Sequence, residues 1–215
     1  MRKLFISLGL LLLSLSVSAQ VFTKNLEKSA MKGDKQAIRD LGICYLNGSG
    51  IAVDNEKAFE CFVKVMKDIR GSSFYIAQMF EKGLVSESQV NQVKENIEEL
   101  EKQLAEEAPN TMAYLKSDSI PQSVRYAYDF YYDSARNHNV DAKIKVADLC
   151  WEEVVLKKWE EALKKKNLTN DGSDADFTKD FMFAFRLYEG SQSSEEGKKK
   201  FLEIISFIQL MQNQQ

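Results

Sequence analysis

The chain has 215 residues and a formal net charge of −3 at neutral pH. It is mildly acidic and has no stripe of basic residues, which argues against a nucleic-acid-binding protein. It contains only two prolines. Ala, Leu, Lys and Glu are frequent, and runs of Val or Thr are few, so the composition predicts helices throughout.

The N-terminal segment has the composition of a cleavable signal peptide. Arg2 and Lys3 precede an apolar run over residues 4–17, and small residues follow in Ser18-Ala19. A basic start, a short apolar region and small residues before the cleavage point are typical of secretory signals. The apolar run is also shorter than the roughly 20 residues that span a bilayer.

We therefore expect residues 1–19 to be a signal peptide and residues 20–215 to form one helical domain. Cleavage would make the protein periplasmic or secreted. Loss of two basic residues leaves 27 basic against 32 acidic residues, a charge of −5. No later segment approaches spanning length, so no membrane span is expected.

The residues after the signal predict two helices joined by a tight turn. Asp34 can cap the first helix, and Asp54 or Asn55 can cap the second. The turn residues Asn47-Gly48-Ser49-Gly50 separate them. The apolar residues of each helix recur three or four positions apart on one face: Ala37, Leu41 and Tyr45 in the first, and Ala58, Phe62 and Val65 in the second.

This unit resembles the Sel-one-like repeat (SLR), a relative of the tetratricopeptide repeats. The resemblance rests on Ala30-x-x-Gly33-Asp34-x-x-Ala37-x-x-x-Leu41-Gly42-x-x-Tyr45-x-x-Gly48-x-Gly50-Ile51-x-Val53-Asp54-x-x-Lys57-Ala58. It implies an all-α fold, a right-handed α–α superhelix of the tetratricopeptide or SLR type. Small residues such as Gly42 would lie where helices cross closely, and Gly48 and Gly50 would permit a left-handed turn.

Weaker copies of the two helix signatures recur along the chain. The first-helix signature returns as Ile76-Ala77-x-x-Phe80-x-x-Gly83 and as Asp141-Ala142-x-x-x-Val146-Ala147-x-x-Cys150. The second-helix signature, Ala58-x-x-x-Phe62, returns as Ala127-x-x-x-Tyr131 and Ala184-x-x-x-Tyr188. We expect the best repeat over residues 24–83 and degenerate repeats over about 123–215.

Residues 86–107 interrupt this pattern and predict one long inserted helix. An apolar seam runs along it with alternating three- and four-residue spacing: Val90, Val93, Ile97, Leu100 and Leu104. The seam either packs against the repeats or joins two copies, in which case the protein is a homo-oligomer through the 90–104 helix.

Three further segments complete the predicted elements. Residues 108–123, with Pro109 and Pro121, predict a linker. Residues 141–166 predict another long helix. A Ser193-x-x-Glu196 capping box predicts the start of the last helix, whose single apolar stripe suits the end of a solenoid.

Few residues suit catalysis or metal binding. His138 is the single histidine and falls in a predicted turn, so a multi-histidine metal site is excluded. Ser29-x-x-Lys32 matches the acylation motif of penicillin-recognising enzymes, but no Lys-Thr-Gly or Ser-Asp-Asn accompanies it. The loop 170–176 gathers three aspartates without the order of an EF-hand. We predict no catalytic residue, no metal and no cofactor; an envelope hydrolase or β-lactam-binding protein is the alternative.

Three cysteines leave at least one thiol unpaired within the chain. Cys44, Cys61 and Cys150 are either small buried residues or, for the first two, a disulfide in an exported protein.

A dense aromatic stretch supplies the candidate binding residues: Tyr126, Tyr128, Phe130, Tyr131 and Tyr132. On a helix these rings point in all directions, so they cannot all be core. These rings either fill the core and the grooves between helices or, where a tyrosine is exposed, make good interface anchors. On the second interpretation we predict Tyr128 and Tyr132 as partner-binding residues. The predicted function is an exported scaffold or adaptor that binds a protein or peptide; a structural oligomer subunit is a further alternative.

Overall fold

The computed structural model describes residues 21–164 and 175–213. The predicted signal peptide (1–19) and most of the loop 170–176 lie outside these residues. The described part is helical and contains no strand, which confirms the all-α prediction. The helices are α1 (Lys24–Met31), α2 (Lys35–Asn47), α3 (Asn55–Val65), α4 (Ser72–Glu81), α5 (Glu87–Gln92), α6 (Lys94–Glu107), α7 (Pro109–Leu115), α8 (Gln122–Arg136), α9 (Val140–Asp148), a π-helical segment (Leu149–Val155), α10 (Leu156–Lys164), α11 (Ala175–Glu189) and α12 (Glu195–Asn213).

The caps of the first helix pair confirm the local predictions. Asp34 accepts a hydrogen bond from the backbone N–H of Ala37 at 3.0 Å, and Asp54 accepts one from Lys57 at 3.0 Å. Each carboxylate satisfies an N–H that the first helical turn leaves unpaired. Gly48 ends α2 with a left-handed backbone, φ 68°, a conformation that glycine adopts without steric cost.

Gly42 sets the distance between α2 and α3. A Cβ atom at this position would lie 2.9 Å from the Cβ of Cys61 and 2.9 Å from the ring of Phe62. These distances are too short for real carbon contacts, so only glycine allows the two helices to pack this closely.

The fold is built on three helix pairs. α2 packs against α3, α4 against α8, and α9 with the π-helical segment against α11. Each pair joins a first-helix signature to a second-helix signature. The second-helix residues are at most 1% exposed: Ala58 and Phe62, Ala127 and Tyr131, and Ala184 and Tyr188. The partner of α4 is therefore α8, with α5–α7 inserted between them in sequence.

The inserted segment is not one long helix over residues 86–107. α5 ends at Gln92, Val93 leaves the helical region with φ −113° and ψ 10°, and α6 follows. The seam packs inside the chain, since Val93, Ile97, Leu100 and Leu104 are at most 8% exposed. A homo-oligomer through the 90–104 helix would need this face free, and it is covered.

Residues 109–115 form α7 and are not a linker. Pro109 occupies the first helical position, where its missing N–H costs nothing. The buried carboxylate of Asp180 on α11 anchors this helix. It accepts hydrogen bonds from Asn110 N at 3.1 Å, Asn110 Nδ2 at 2.9 Å and Thr111 N at 2.8 Å. The inserted segment is thereby tied to the last helix pair.

Two C-terminal predictions also change. Residues 141–164 are helical throughout, but α9 and α10 are separated by the π-helical segment. The last helix starts after Ser194, whose hydroxyl accepts a hydrogen bond from Gly197 N at 3.0 Å, and not at the predicted Ser193 capping box. α12 also carries Leu202 and Leu210 on its outer side, 63% and 62% exposed. No described helix is long and apolar enough to cross a membrane.

Candidate functional site

The structure separates the two tyrosines that the sequence predicts as partner-binding residues. Tyr132 is 1% exposed, and its hydroxyl donates a hydrogen bond to Glu107 at 2.7 Å. Its ring is part of the core, so the exposed anchor expected there is absent. Tyr128 lies one turn earlier on α8 and is half-buried at the surface. Partner binding by Tyr128 stays a prediction, and its surroundings define the candidate site.

Three groups of identical chemistry surround Tyr128. In each, a tyrosine hydroxyl donates to a carboxylate that also binds a lysine. We call them the three triads: Tyr131–Glu81–Lys145, Tyr114–Glu153–Lys157 and Tyr188–Asp148–Lys200. α4 and every helix from α7 to α12 contribute to them. The Tyr128 surface is the ring of Tyr128 together with these triads.

The first triad joins α4, α8 and α9. Tyr131 donates to Glu81 at 2.6 Å, and Lys145 binds the same carboxylate at 2.7 Å while its ammonium lies 5.2 Å from the centre of the Tyr131 ring. Burial alone would raise the pKa of Glu81, but the hydrogen bonds from Lys145 and Tyr131 together lower it. Burial and the bond to Glu81 raise the pKa of Tyr131.

The second triad joins α7, the π-helical segment and α10. Tyr114 donates to Glu153 at 2.9 Å, and Lys157 binds the same carboxylate from one helical turn away. The Lys157 ammonium also lies 5.9 Å from the Tyr114 ring centre. The hydrogen bonds from Lys157 and Tyr114 lower the pKa of Glu153.

The third triad joins α9, α11 and α12. Tyr188 donates to Asp148 at 2.6 Å, and Lys200 lies 3.0 Å from Asp148 and 2.9 Å from Glu152. Burial lowers the pKa of Lys200, but its bonds to Glu152 and Asp148 outweigh this effect and raise it. Burial, followed by the bond to Asp148, raises the pKa of Tyr188.

Tyr128 lies within reach of all three triads. Burial raises its pKa to about 12, and the carboxylates of Glu81, Asp148 and Glu153 add to the increase. Its ring meets that of Tyr131 edge to face at 5.9 Å. Its hydroxyl has no hydrogen-bond partner in the part of the chain that the structure describes. The Tyr128 hydroxyl, which can donate and accept a hydrogen bond, therefore lies at a surface where the neighbouring polar groups are already paired.

The π-helical segment explains why these acids converge. A π turn is wider than an α turn, which changes the angular spacing of successive side chains. Glu152 and Glu153 lie in this segment and Asp148 directly precedes it, and these three acids bind Lys200, Tyr114 and Tyr188 on three different helices. Such wide turns occur frequently at functional sites.

The charges of the Tyr128 surface suit recognition better than proton transfer. The tyrosine pKa values are raised and those of Glu81 and Glu153 are lowered, so each group keeps its protonation state around neutral pH. A general acid or base needs a pKa near the working pH. The surface instead offers fixed hydrogen bonds and one open hydroxyl.

Two grooves flank α6, away from Tyr128. One, of about 450 Å³, has an apolar floor of Met66, Leu100 and Phe130. Its polar rim is largely bonded to itself, since Arg136 binds Gln103 and Gln103 binds Glu99. The other groove, of about 540 Å³, lies between α5, α6 and the start of α8.

The remaining motif residues do not converge. His138 is an exposed turn residue with φ 67°, as the sequence predicts. Ser29 and Lys32 lie at the end of α1, and no hydrogen bond joins the Ser29 hydroxyl to the Lys32 ammonium among the described residues. In the described ranges, no three His, Cys, Asp or Glu residues cluster as metal ligands would.

The structure shows no disulfide between Cys44 and Cys61. Cys44 and Cys150 are buried, as small core residues would be. Burial also raises the pKa of Cys61 to about 11. A thiol with so high a pKa is a poor nucleophile at neutral pH.

Sequence reasoning missed the acids and lysines of the triads. Glu81 and Lys145 are 64 positions apart, and Tyr114 and Glu153 are 39 apart. Only the Glu153–Lys157 spacing of four residues is visible along the chain, and it occurs on many helices. No protein-family model matches the chain, and no curated protein matches it significantly.

Proposed function

We propose that the protein is an exported helical-repeat scaffold that binds a protein or peptide partner through the Tyr128 surface. The observation that carries this proposal is the half-buried Tyr128, with an open hydroxyl, within electrostatic reach of the carboxylates of three triads. Tyrosine is enriched among the residues that dominate binding energy at interfaces. A ring held by its neighbours also loses little conformational entropy on binding.

The superhelix implied by the SLR resemblance belongs to this proposal. The three helix pairs and their buried signature residues support it, because stacked helix pairs bury a continuous core and leave an extended surface for partners. The periplasmic or secreted location is likewise proposed, on the composition of residues 1–19.

The chemistry around Tyr128 indicates which partner groups fit. The three triads balance three carboxylates with three lysines, and Glu152, which also binds Lys200, adds a fourth carboxylate beside them. An acidic side chain from the partner would be repelled by this excess negative charge. A neutral or basic side chain bonded to the Tyr128 hydroxyl is therefore expected.

Cross-linking in envelope extracts tests the proposal through a matched pair of variants. Tyr128→Ala should weaken capture of the partner by roughly 30-fold, the equivalent of about 2 kcal/mol at a hot spot. Tyr126→Ala is the control, because Tyr126 is also half-buried on α8 but contacts Phe80 and Arg125 away from the triads.

His138→Ala and Ser29→Ala should capture as well as wild type. Equal capture by Tyr128→Ala and wild type would refute binding at this surface. Loss of function with stability preserved in either His138→Ala or Ser29→Ala would instead favour a catalytic protein.

A further inference from the structure

One carboxylate in the core lacks the partners that buried charges require. Asp129 lies on α8 and is 0% exposed. Neither of its oxygens accepts a hydrogen bond in the described part of the chain. A buried ionised carboxylate without partners is very costly, and such groups are rare in folded proteins. Asp180, the other fully buried aspartate of this region, is by contrast fully hydrogen-bonded.

Charged groups face Asp129 from three elements. Glu101 of α6 lies 3.0 Å from Lys116 at the end of α7 and 3.1 Å from Arg125 Nε on α8. The first ion pair joins α6 to the end of α7, and the second links α6 to α8 one turn before Asp129. The Arg125 Nε–H approaches Glu101 without the alignment of a hydrogen bond and is itself unsatisfied.

The charged side chains near α8 on the other helices that pack against it pair with groups other than Asp129. Glu81 of α4 and Lys145 of α9 pair with each other beside Tyr131. Asp133, one turn further along α8, accepts a hydrogen bond from Ser73. Among the described residues, Glu101, Lys116 and Arg125 are therefore the charged groups that act on Asp129.

We propose that Asp129 is a proton-dependent lock between the inserted segment and α8. With a proton on Asp129, the carboxyl is neutral and α6 packs against α8 over it. Loss of the proton places an unpaired negative charge under Glu101, which loosens this junction. Because α6 lines the grooves on both of its sides, loosening it changes the shape of both.

The titration of Asp129 fits this geometry. Burial and then the negative charge of Glu101 raise its pKa to about 8, and Arg125 and Lys116 only partly offset them. The folded state therefore holds a proton that the unfolded chain has lost above about pH 4. The sign follows from linkage: stability falls as the pH rises from about 4 and is fully reduced above about 8.

Unfolding measured across this pH range tests the lock. In wild type, the stability should fall between about pH 4 and pH 8, and Asp129→Asn should remove most of that fall because the amide stays neutral. Asp133→Asn, a neutralisation on the same helix, should keep it. An equal fall in wild type and Asp129→Asn would overturn the proposal.

Two measurements on wild type do not depend on how the Asn variant folds. The ¹³C signal of the Asp129 carboxyl should titrate near pH 8, and a midpoint near the ordinary aspartate value would overturn the proposal. Hydrogen exchange over residues 86–120, corrected for intrinsic rates, should show less protection at about pH 9 than at about pH 6. Unchanged protection would refute the loosening of the inserted segment.

Glu101→Gln separates a proton-linked role from a purely structural one. Removing the neighbouring negative charge should lower the Asp129 midpoint by about one pH unit or more. A midpoint that does not move would contradict the electrostatic basis of the lock.

Discussion

The hydroxyl of Tyr131 donates a hydrogen bond to Glu81 at 2.6 Å, which joins two residues 50 positions apart. The bond closes the α4–α8 pair at the C-terminal end of α4, shortly before the inserted segment begins. Tyr131 is buried and Glu81 is partly exposed. Because Glu81 can be hydrated when the bond is removed, a substitution at Tyr131 measures the contribution of this hydrogen bond. The helix pairing that it stabilises is the arrangement on which the Tyr128 surface depends.

Tyr131→Phe removes this hydrogen bond and keeps the ring. We expect the free energy of unfolding to fall by about 1 kcal/mol, since Glu81 keeps its bond to Lys145 and is partly hydrated. Urea denaturation measures the change. The control is Tyr126→Phe, whose hydroxyl bonds only to an exposed glutamine and should cost under about 0.5 kcal/mol. Equal losses in both variants would contradict a specific role for the Tyr131–Glu81 bond.

Gly42→Leu should destabilise the first helix pair by overpacking. The new side chain would collide with Cys61 and Phe62, where a Cβ alone already lies 2.9 Å away. We expect a loss of about 1–3 kcal/mol in urea denaturation. Ala105→Leu, on the exposed side of α6, serves as the control and should stay within about 0.5 kcal/mol of wild type. An unchanged midpoint for Gly42→Leu would mean that α2 and α3 do not pack as closely as described.

Asp180→Ala should release α7 from α11. The substitution leaves the backbone N–H groups of Asn110 and Thr111 and the Thr111 hydroxyl without their acceptor in a buried place. Buried unpaired donors cost about 1–3 kcal/mol each, so a loss above about 3 kcal/mol is expected. Thermal unfolding measures this loss of stability, and hydrogen exchange over residues 109–115 measures the release of α7. Asp118→Ala, at an exposed position, should change neither; a similar effect of both variants would rule out the anchoring role.

The proposed export has its own test. Expression with the intact N-terminus, followed by N-terminal sequencing, should yield a chain that begins at Gln20. The protein should be recovered from the periplasm or medium and leave membranes on a high-salt wash. A chain that begins at Met1, or one that stays with membranes after the wash, would refute the cleaved signal.

Local features were predictable because their causes lie within a few residues of each other. Asp34 and Asp54 cap their helices through bonds to a backbone N–H three positions on, and Gly48 ends α2 through its own backbone freedom. The four-residue recurrence of Ala37 and Leu41 reports which face of α2 is buried. The prediction of a linker around Pro109 was wrong for the same reason. A proline at the start of a helix and a proline in a linker have the same local sequence pattern.

Only the tertiary structure decided how distant segments meet. The sequence by itself determined an all-helical chain and the first helix pair. For the seam residues it left two possibilities, packing against the repeats or joining two copies. It could not determine that Val93 breaks the inserted helix, that Tyr132 is core while Tyr128 is at the surface, or that three triads surround Tyr128. Those outcomes depend on which helices pack together, because a hydrogen bond between residues 40 or 50 positions apart leaves no periodic signal along the chain.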